Sequence, residues 1–209
     1  MERGTRFRGM RRADLRCEQD MGKEEDCVRV VEESIAALGG LDIVISNAVS
    51  TQHPGVDCMI NPIAPDMLLL YHSSILTPLQ GYTRFSLFSD LTASTTDDWD
   101  TCFAVNVKAQ THLLRTALPT FKSNTEGGVF IMTSSIAGRN TGGSSMPYSV
   151  TKAAQLHLMR CLAATQGPKV RVNAVLPGFL RTEWVRTHSS TVPALLRLAI
   201  RRVRYMVSN

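Results

Sequence analysis

The chain has 209 residues, with 44% hydrophobic and 20% charged content, enough for one globular domain with a sizeable core. Its net charge of +5 is terminal: residues 1–16 hold six arginines and two acids, and residues 185–209 hold five arginines and no acid. The middle keeps 12 basic and 16 acidic residues, which argues against a basic face for nucleic acid.

Five cysteines (Cys17, Cys27, Cys58, Cys102, Cys161) lack C-x-x-C spacing, the pattern of reduced thiols in a cytoplasmic protein rather than a disulfide or zinc framework. No apolar run reaches the length of a membrane span, and the longest, Met67–Tyr71, is far too short. The N-terminus lacks an apolar signal core; its arginine content alone is compatible with a mitochondrial presequence.

In chain order, residues 1–12 read as disordered. Ala13-Asp14-Leu15 closes a short strand. Lys23–Leu38 has the apolar period of an amphipathic helix, with Cys27, Val30, Val31, Ser34, Ile35 and Leu38 on one face. Gly39-Gly40 ends it, and Leu41–Asn47 follows as a short buried strand. Helix, glycine and strand in that order imply a βαβ unit and a parallel sheet. Residues 49–80 break the rhythm, with four prolines, no lysine or arginine and no clear period. A structureless loop of that length is unusual in a compact domain, and the segment reads as an irregular insert.

Thr96-Asp-Asp-Trp99 reads as a helix N-terminus with acids in its first turn. The helix is expected to run through Phe103, Val107, Leu113, Leu114 and Leu118 and to end near Pro119. Gly128–Met132 is a buried strand leading into Ser134 and Ser135. A second helix is expected from Tyr148, and Val170–Val175 is a further strand closed by Pro177-Gly178. Residues Val192–Val207 are basic and amphipathic. A membrane-surface helix is the weakest reading there, because the arginines surround few large apolar residues.

Tyr148 and Lys152 stand four residues apart and so share a helix face. A phenol titrates near ~10, and an ammonium beside it favours the phenolate. Such a tyrosine suits general acid–base work. Gly138, Gly142 and Gly143 lie between the serines and Tyr148 and read as a flexible loop beside a substrate pocket. His53, His72, His112, His157 and His188 show no metal spacing.

Ser135 precedes Tyr148-x-x-x-Lys152 by 13 residues, with Asn106 in Phe-Ala-Val-Asn-Val upstream and Pro177-Gly178 downstream. In these five parts the chain resembles a short-chain dehydrogenase/reductase, from about Asp14 to Trp184 outside 49–80. The resemblance implies an α/β fold: an incomplete Rossmann-like, doubly wound parallel sheet spanning 13–184. It implies an NAD or NADP cofactor, a small-molecule alcohol or carbonyl substrate, and helix-mediated homo-oligomers. Tyr148 would be the proton donor or acceptor, Ser135 would hold the substrate oxygen, Lys152 would bind the nicotinamide ribose, and Asn106 would relay protons. Asp14 matches the residue that meets the adenine, Asn47 and Ala48 the Asn-Ala-Gly strand end beside the cofactor, and Thr182 the contact to the carboxamide. The thirteen-residue spacing selects Ser135 and leaves Ser134 as a strand-end hydroxyl.

Three departures accompany the resemblance. The family's glycine-rich pyrophosphate turn is expected upstream of Asp14, where no such turn is found, so the chain reads as N-terminally truncated. Removing 49–80 joins Ala48 to Gly81 and restores Asn-Ala-Gly. Val49-Ser50 and Gln80 are compatible with splice-site codons, so the insert is read as a translated intron. Mature transcripts that all retain the segment would refute that. Residues 185–209 replace the family's substrate lid with a basic tail. The alternative to an active oxidoreductase is a catalytically inactive fragment or an interaction protein on the same fold.

Overall fold

The computed structural model describes residues 20–47, 67–72, 75–79, 91–140 and 145–178. Helix α1 (Glu24–Leu38) opens with Glu24, Glu25 and Asp26 in its first turn and closes at Gly39, whose left-handed φ of 74° lets its N–H bond the Ile35 carbonyl. Strand β1 (Ile43–Asn47) follows. Asn124 holds the entry to this strand, donating from Nδ2 to the Leu41 carbonyl at 2.8 Å and to Asp42 at 3.2 Å.

The segment that lacks a period in sequence supplies two strands, β2 (Met67–His72) and β3 (Ile75–Leu79). For these two stretches this corrects the expectation of irregular structure; the rest of 49–80 lies outside the described residues. A short continuous apolar run such as Met-Leu-Leu-Leu-Tyr is compatible with a strand but carries no period to reveal it. The strands pair antiparallel with each other, and β2 pairs antiparallel with β1. Pro78, which cannot donate to a ladder, lies in the outermost strand, where one side of the backbone needs no partner.

Helix α2 (Thr96–Phe103) begins at a full capping box: Thr95 accepts from the Asp98 N–H, and the Asp98 carboxylate accepts from the Thr95 N–H. It passes through a π-turn (Ala104–Lys108) into helix α3 (Ala109–Ser123). Pro119, expected to stop this helix, lies inside it. The last turn continues past the proline to Phe121, which is fully buried. Its burial offsets the hydrogen bond that proline cannot make.

Strand β4 (Gly128–Thr133), helix α4 (Met146–Gln166) and strand β5 (Val170–Val175) complete the unit. Helix α4 starts two residues before Tyr148 because Ser145 caps it and Pro147 occupies its first turn. The sheet order is β3-β2-β1-β4-β5, with β1, β4 and β5 parallel. The parallel α/β core is as expected, and the hairpin makes the whole sheet mixed. Registered neighbours Val44, Phe130 and Val172 point to one face, where they join Val30, Leu113, Phe121, Leu156 and Met159 in one buried core. The other face, with Ile43, Ile45, Val129 and Ile131, is partly exposed. Among the described residues, all three long helices therefore serve one face.

Candidate active site

The C-terminal ends of β1, β4 and β5 meet at one edge of the sheet, the side where open α/β sheets hold ligands. Two backbone bonds lock β4's exit to β5's: Ser134 N–H to the Val175 carbonyl at 2.8 Å, and Ile136 N–H to the Pro177 carbonyl at 3.1 Å. Ser135, in extended conformation, caps a 3₁₀ turn over Ile136–Gly138, its Oγ accepting from the Ala137 N–H at 3.1 Å. With a lone pair so occupied, the hydroxyl hydrogen is free to donate. It faces Tyr148, whose phenol hydrogen-bonds the Ser135 side chain. Spacing thus selected the serine that meets the tyrosine.

Tyr148 is 8% and Lys152 2% exposed. Lys152 Nζ lies 5.5 Å from the Tyr148 ring centroid, donates to the Thr133 carbonyl at 2.8 Å, and reaches Gln155 Oε1 at 3.4 Å. Ser134 is not idle: its buried hydroxyl donates to the Lys152 carbonyl at 3.1 Å. Gly138 packs on that same carbonyl, where a Cβ would come within 2.8 Å. So Gly138 belongs to a turn pressed against α4 rather than to a flexible loop; Gly142 and Gly143 lie outside the described residues.

The electrostatics differ from the expectation that Lys152 draws Tyr148 toward the phenolate. Burial pushes the Tyr148 phenol above its usual 10, with the Ser135 hydrogen bond opposing and Cys102 adding to the rise. Burial also brings the Lys152 ammonium down to about 7, against a smaller opposing effect of Cys102. Desolvation penalises both charged forms, and Nζ is turned to Thr133 and Gln155.

Asn106 sits in the π-turn, 1% exposed, and its Nδ2 donates to Thr151 Oγ1 at 2.9 Å. It is thereby joined to the residue next to Lys152. Pro177 and Gly178 follow β5, and the bond from Ile136 places Pro177 beside the Ser135 turn. Asn47 ends β1 at the same edge, with its side chain outside the description. Asp14, Ala48 and Thr182 lie outside the described residues. Among those residues no group of His, Cys, Asp and Glu could hold a metal, and no helix is long and apolar enough to cross a membrane. Among the described residues, Cys27, Cys102 and Cys161 form no disulfide. Thr151, Gln155 and Cys102 have no site role in the sequence reading, which leaves Ser134 as a strand-end hydroxyl. A signal existed for two of them: Tyr148, Thr151, Lys152 and Gln155 form a polar stripe at i, i+3, i+4 and i+7 on a face that should be apolar.

Comparison with known proteins bears on the family and the fold. Residues 77–193 match the family model described as short chain dehydrogenase, so the match extends beyond Trp184. The chain is 32% identical over 165 residues to human dehydrogenase/reductase SDR family member 2, mitochondrial, covering 78% of this chain and 46% of the relative. It is 30% identical over 155 residues to tropinone reductase-like 3 of Erythroxylum coca, covering 74% and 46%. Among solved structures, carveol dehydrogenase from Mycobacterium avium in complex with NAD superposes with a TM-score of 0.57 at 23% identity, over 81% of this chain and 49% of that one. ElxO with NADP bound gives 0.59 at 20% identity, over 84% and 57%; both show the shared fold. The chain spans about half the length of the curated relatives it matches. With the family model matched over more than half of its residues, the chain belongs to the short-chain dehydrogenase family.

Proposed function

We propose that the protein is an NAD- or NADP-dependent oxidoreductase that interconverts a small-molecule alcohol and carbonyl, with Tyr148 as acid and base. The observation that carries this reading is the Ser135–Tyr148 hydrogen bond beside a fully buried lysine. The donors suit the nicotinamide end of such a cofactor, since Lys152 offers buried N–H groups for ribose hydroxyls at the ligand-binding edge of the sheet. The pyrophosphate end is not matched. Among the described residues no Gly-x-x-x-Gly-x-Gly turn opens a helix, and Glu24, Glu25 and Asp26 at the start of α1 would repel a diphosphate. When bound, a nicotinamide cofactor supplies the hydride.

The chain's own residues supply the proton and hold the oxygen that receives it. In the reductive direction Tyr148 donates its phenolic proton to the substrate oxygen, and its raised pKa keeps that proton in place until charge develops. Ser135, its acceptor side held by Ala137, donates to the same oxygen and fixes its position. Lys152, titrating at about 7, can carry a proton or release one near neutrality, and Asn106 continues the route toward solvent. Homo-oligomers and a cytoplasmic location belong to the same reading.

Titration of the pure chain with NADH and NADPH, followed by nicotinamide fluorescence, tests it. Saturable binding is expected, and none at millimolar cofactor would refute the enzyme reading. A second reading, a catalytically inactive fragment or interaction protein on the same fold, is favoured by the three acids, Glu24, Glu25 and Asp26, that open α1.

A further inference from the structure

The polar stripe on α4 has a member without a role in that reaction. Thr151 is fully buried. Its Oγ1 accepts from Asn106 Nδ2 at 2.9 Å and lies 2.8 Å from the Pro147 carbonyl and 2.9 Å from the Tyr148 carbonyl. A hydroxyl has one hydrogen. Because the helix carbonyls take that hydrogen, only the lone pairs of Oγ1 are left for Asn106, and only its amide nitrogen can fill them. The contact therefore decides which way round the Asn106 carboxamide sits, with Nδ2 toward α4.

Asn106 needs such a restraint. Its π-turn is closed by the bond from the Ala109 N–H to the Ala104 carbonyl, five residues apart. That widened turn breaks the regular ladder and leaves a backbone carbonyl free of its usual partner. The bond from Asn106 Nδ2 reaches Thr151, 45 residues away on the helix that carries Tyr148 and Lys152.

We propose that Thr151 is a positioning residue whose hydroxyl fixes the Asn106 carboxamide and ties the π-turn to the first turn of α4. This rests on the reading of Asn106 as a member of the acid–base site. Thr151 acts through Asn106 and touches no reacting atom. A serine can make both bonds, and a valine of the same shape can make neither.

The test uses the full ¹⁵N-labelled chain without ligand, with the Asn106 side-chain amide pair assigned by its loss in Asn106→Ala. That pair is expected to be unmoved in Thr151→Ser, and in Thr151→Val to shift and exchange with solvent at least about tenfold faster. An Asn106 amide that stays where it was in Thr151→Val overturns the proposal. Should Thr151→Val not fold, the Thr151→Ser variant decides, and a shifted Asn106 amide there overturns it equally. With cofactor and a carbonyl substrate, Thr151→Val is expected to lower kcat about tenfold while the NADH Kd stays within about twofold, and Thr151→Ser to restore kcat. Unchanged kcat in Thr151→Val also overturns it. A wild-type chain without turnover refutes the function proposed above, and the Asn106 amide then decides the positioning role alone.

Discussion

Replacing Gly138 by alanine adds one methyl group at the point where the Ser135 turn meets α4. A Cβ there would lie 2.7 Å from the Lys152 carbonyl carbon, 2.8 Å from its oxygen and 2.9 Å from the Ala153 nitrogen. Ordinary contact begins at 3.4 Å, so the turn and helix must separate by about 0.7 Å, and overpacking of this kind costs about 1–3 kcal/mol. The obstructing atoms are main-chain atoms of a helix held from the other side by the core, so no side chain can rotate away. The separation also stretches the 3.1 Å bond from Ser134 to the Lys152 carbonyl. With a urea m-value of about 1–3 kcal/mol/M, the unfolding midpoint should fall by roughly 1 M. Gly39→Ala is the control: nothing lies within 4 Å of a Cβ there, and only its φ of 74° is strained, at a cost of about 1 kcal/mol. A Gly138→Ala midpoint equal to wild type would refute the packing argument.

Tyr148→Phe should lower kcat by about 10²–10⁴-fold, the range for a positioned general acid, while fluorescence titration returns a nearly unchanged cofactor affinity. Loss of that affinity as well would contradict the acid–base role. Lys152 loses its proton near 7 when folded and near 10.5 when unfolded, so between these values the unfolded chain binds more protons and stability rises with pH. The contribution is full above 10.5 and lost as pH falls through 7. Urea unfolding from pH 6 to pH 9 should therefore show wild type gaining on Lys152→Met by more than about 1 kcal/mol, the worth of roughly one pKa unit; a constant difference would speak against the buried ammonium. Thr95→Ala removes the hydroxyl that caps α2 and should cost about 1 kcal/mol in the same assay. No change would show that the reciprocal Asp98 bond suffices.

The amino-acid order alone determined the features that depend on near neighbours. Helix α1 and its glycine stop, the acid-led start of α2, strands β1, β4 and β5, and the shared face of Tyr148 and Lys152 all follow from periods and caps. These patterns express backbone geometry and leave a trace within a few residues. The thirteen-residue spacing that singled out Ser135 also lies within one strand–turn–helix unit. Where the outcome depended on distant partners, the sequence was silent or misleading. Met67–His72 and Ile75–Leu79 join the sheet because β1 offers an open edge, and Pro119 stays helical because Phe121 is buried beyond it. Only the tertiary structure brought Thr151 to Asn106 and turned Lys152 to Thr133. The clearest case is the charge state. Four-residue spacing suggested an ammonium that stabilises a phenolate, but desolvation depends on everything packed over the pair, and packing raises Tyr148 and lowers Lys152.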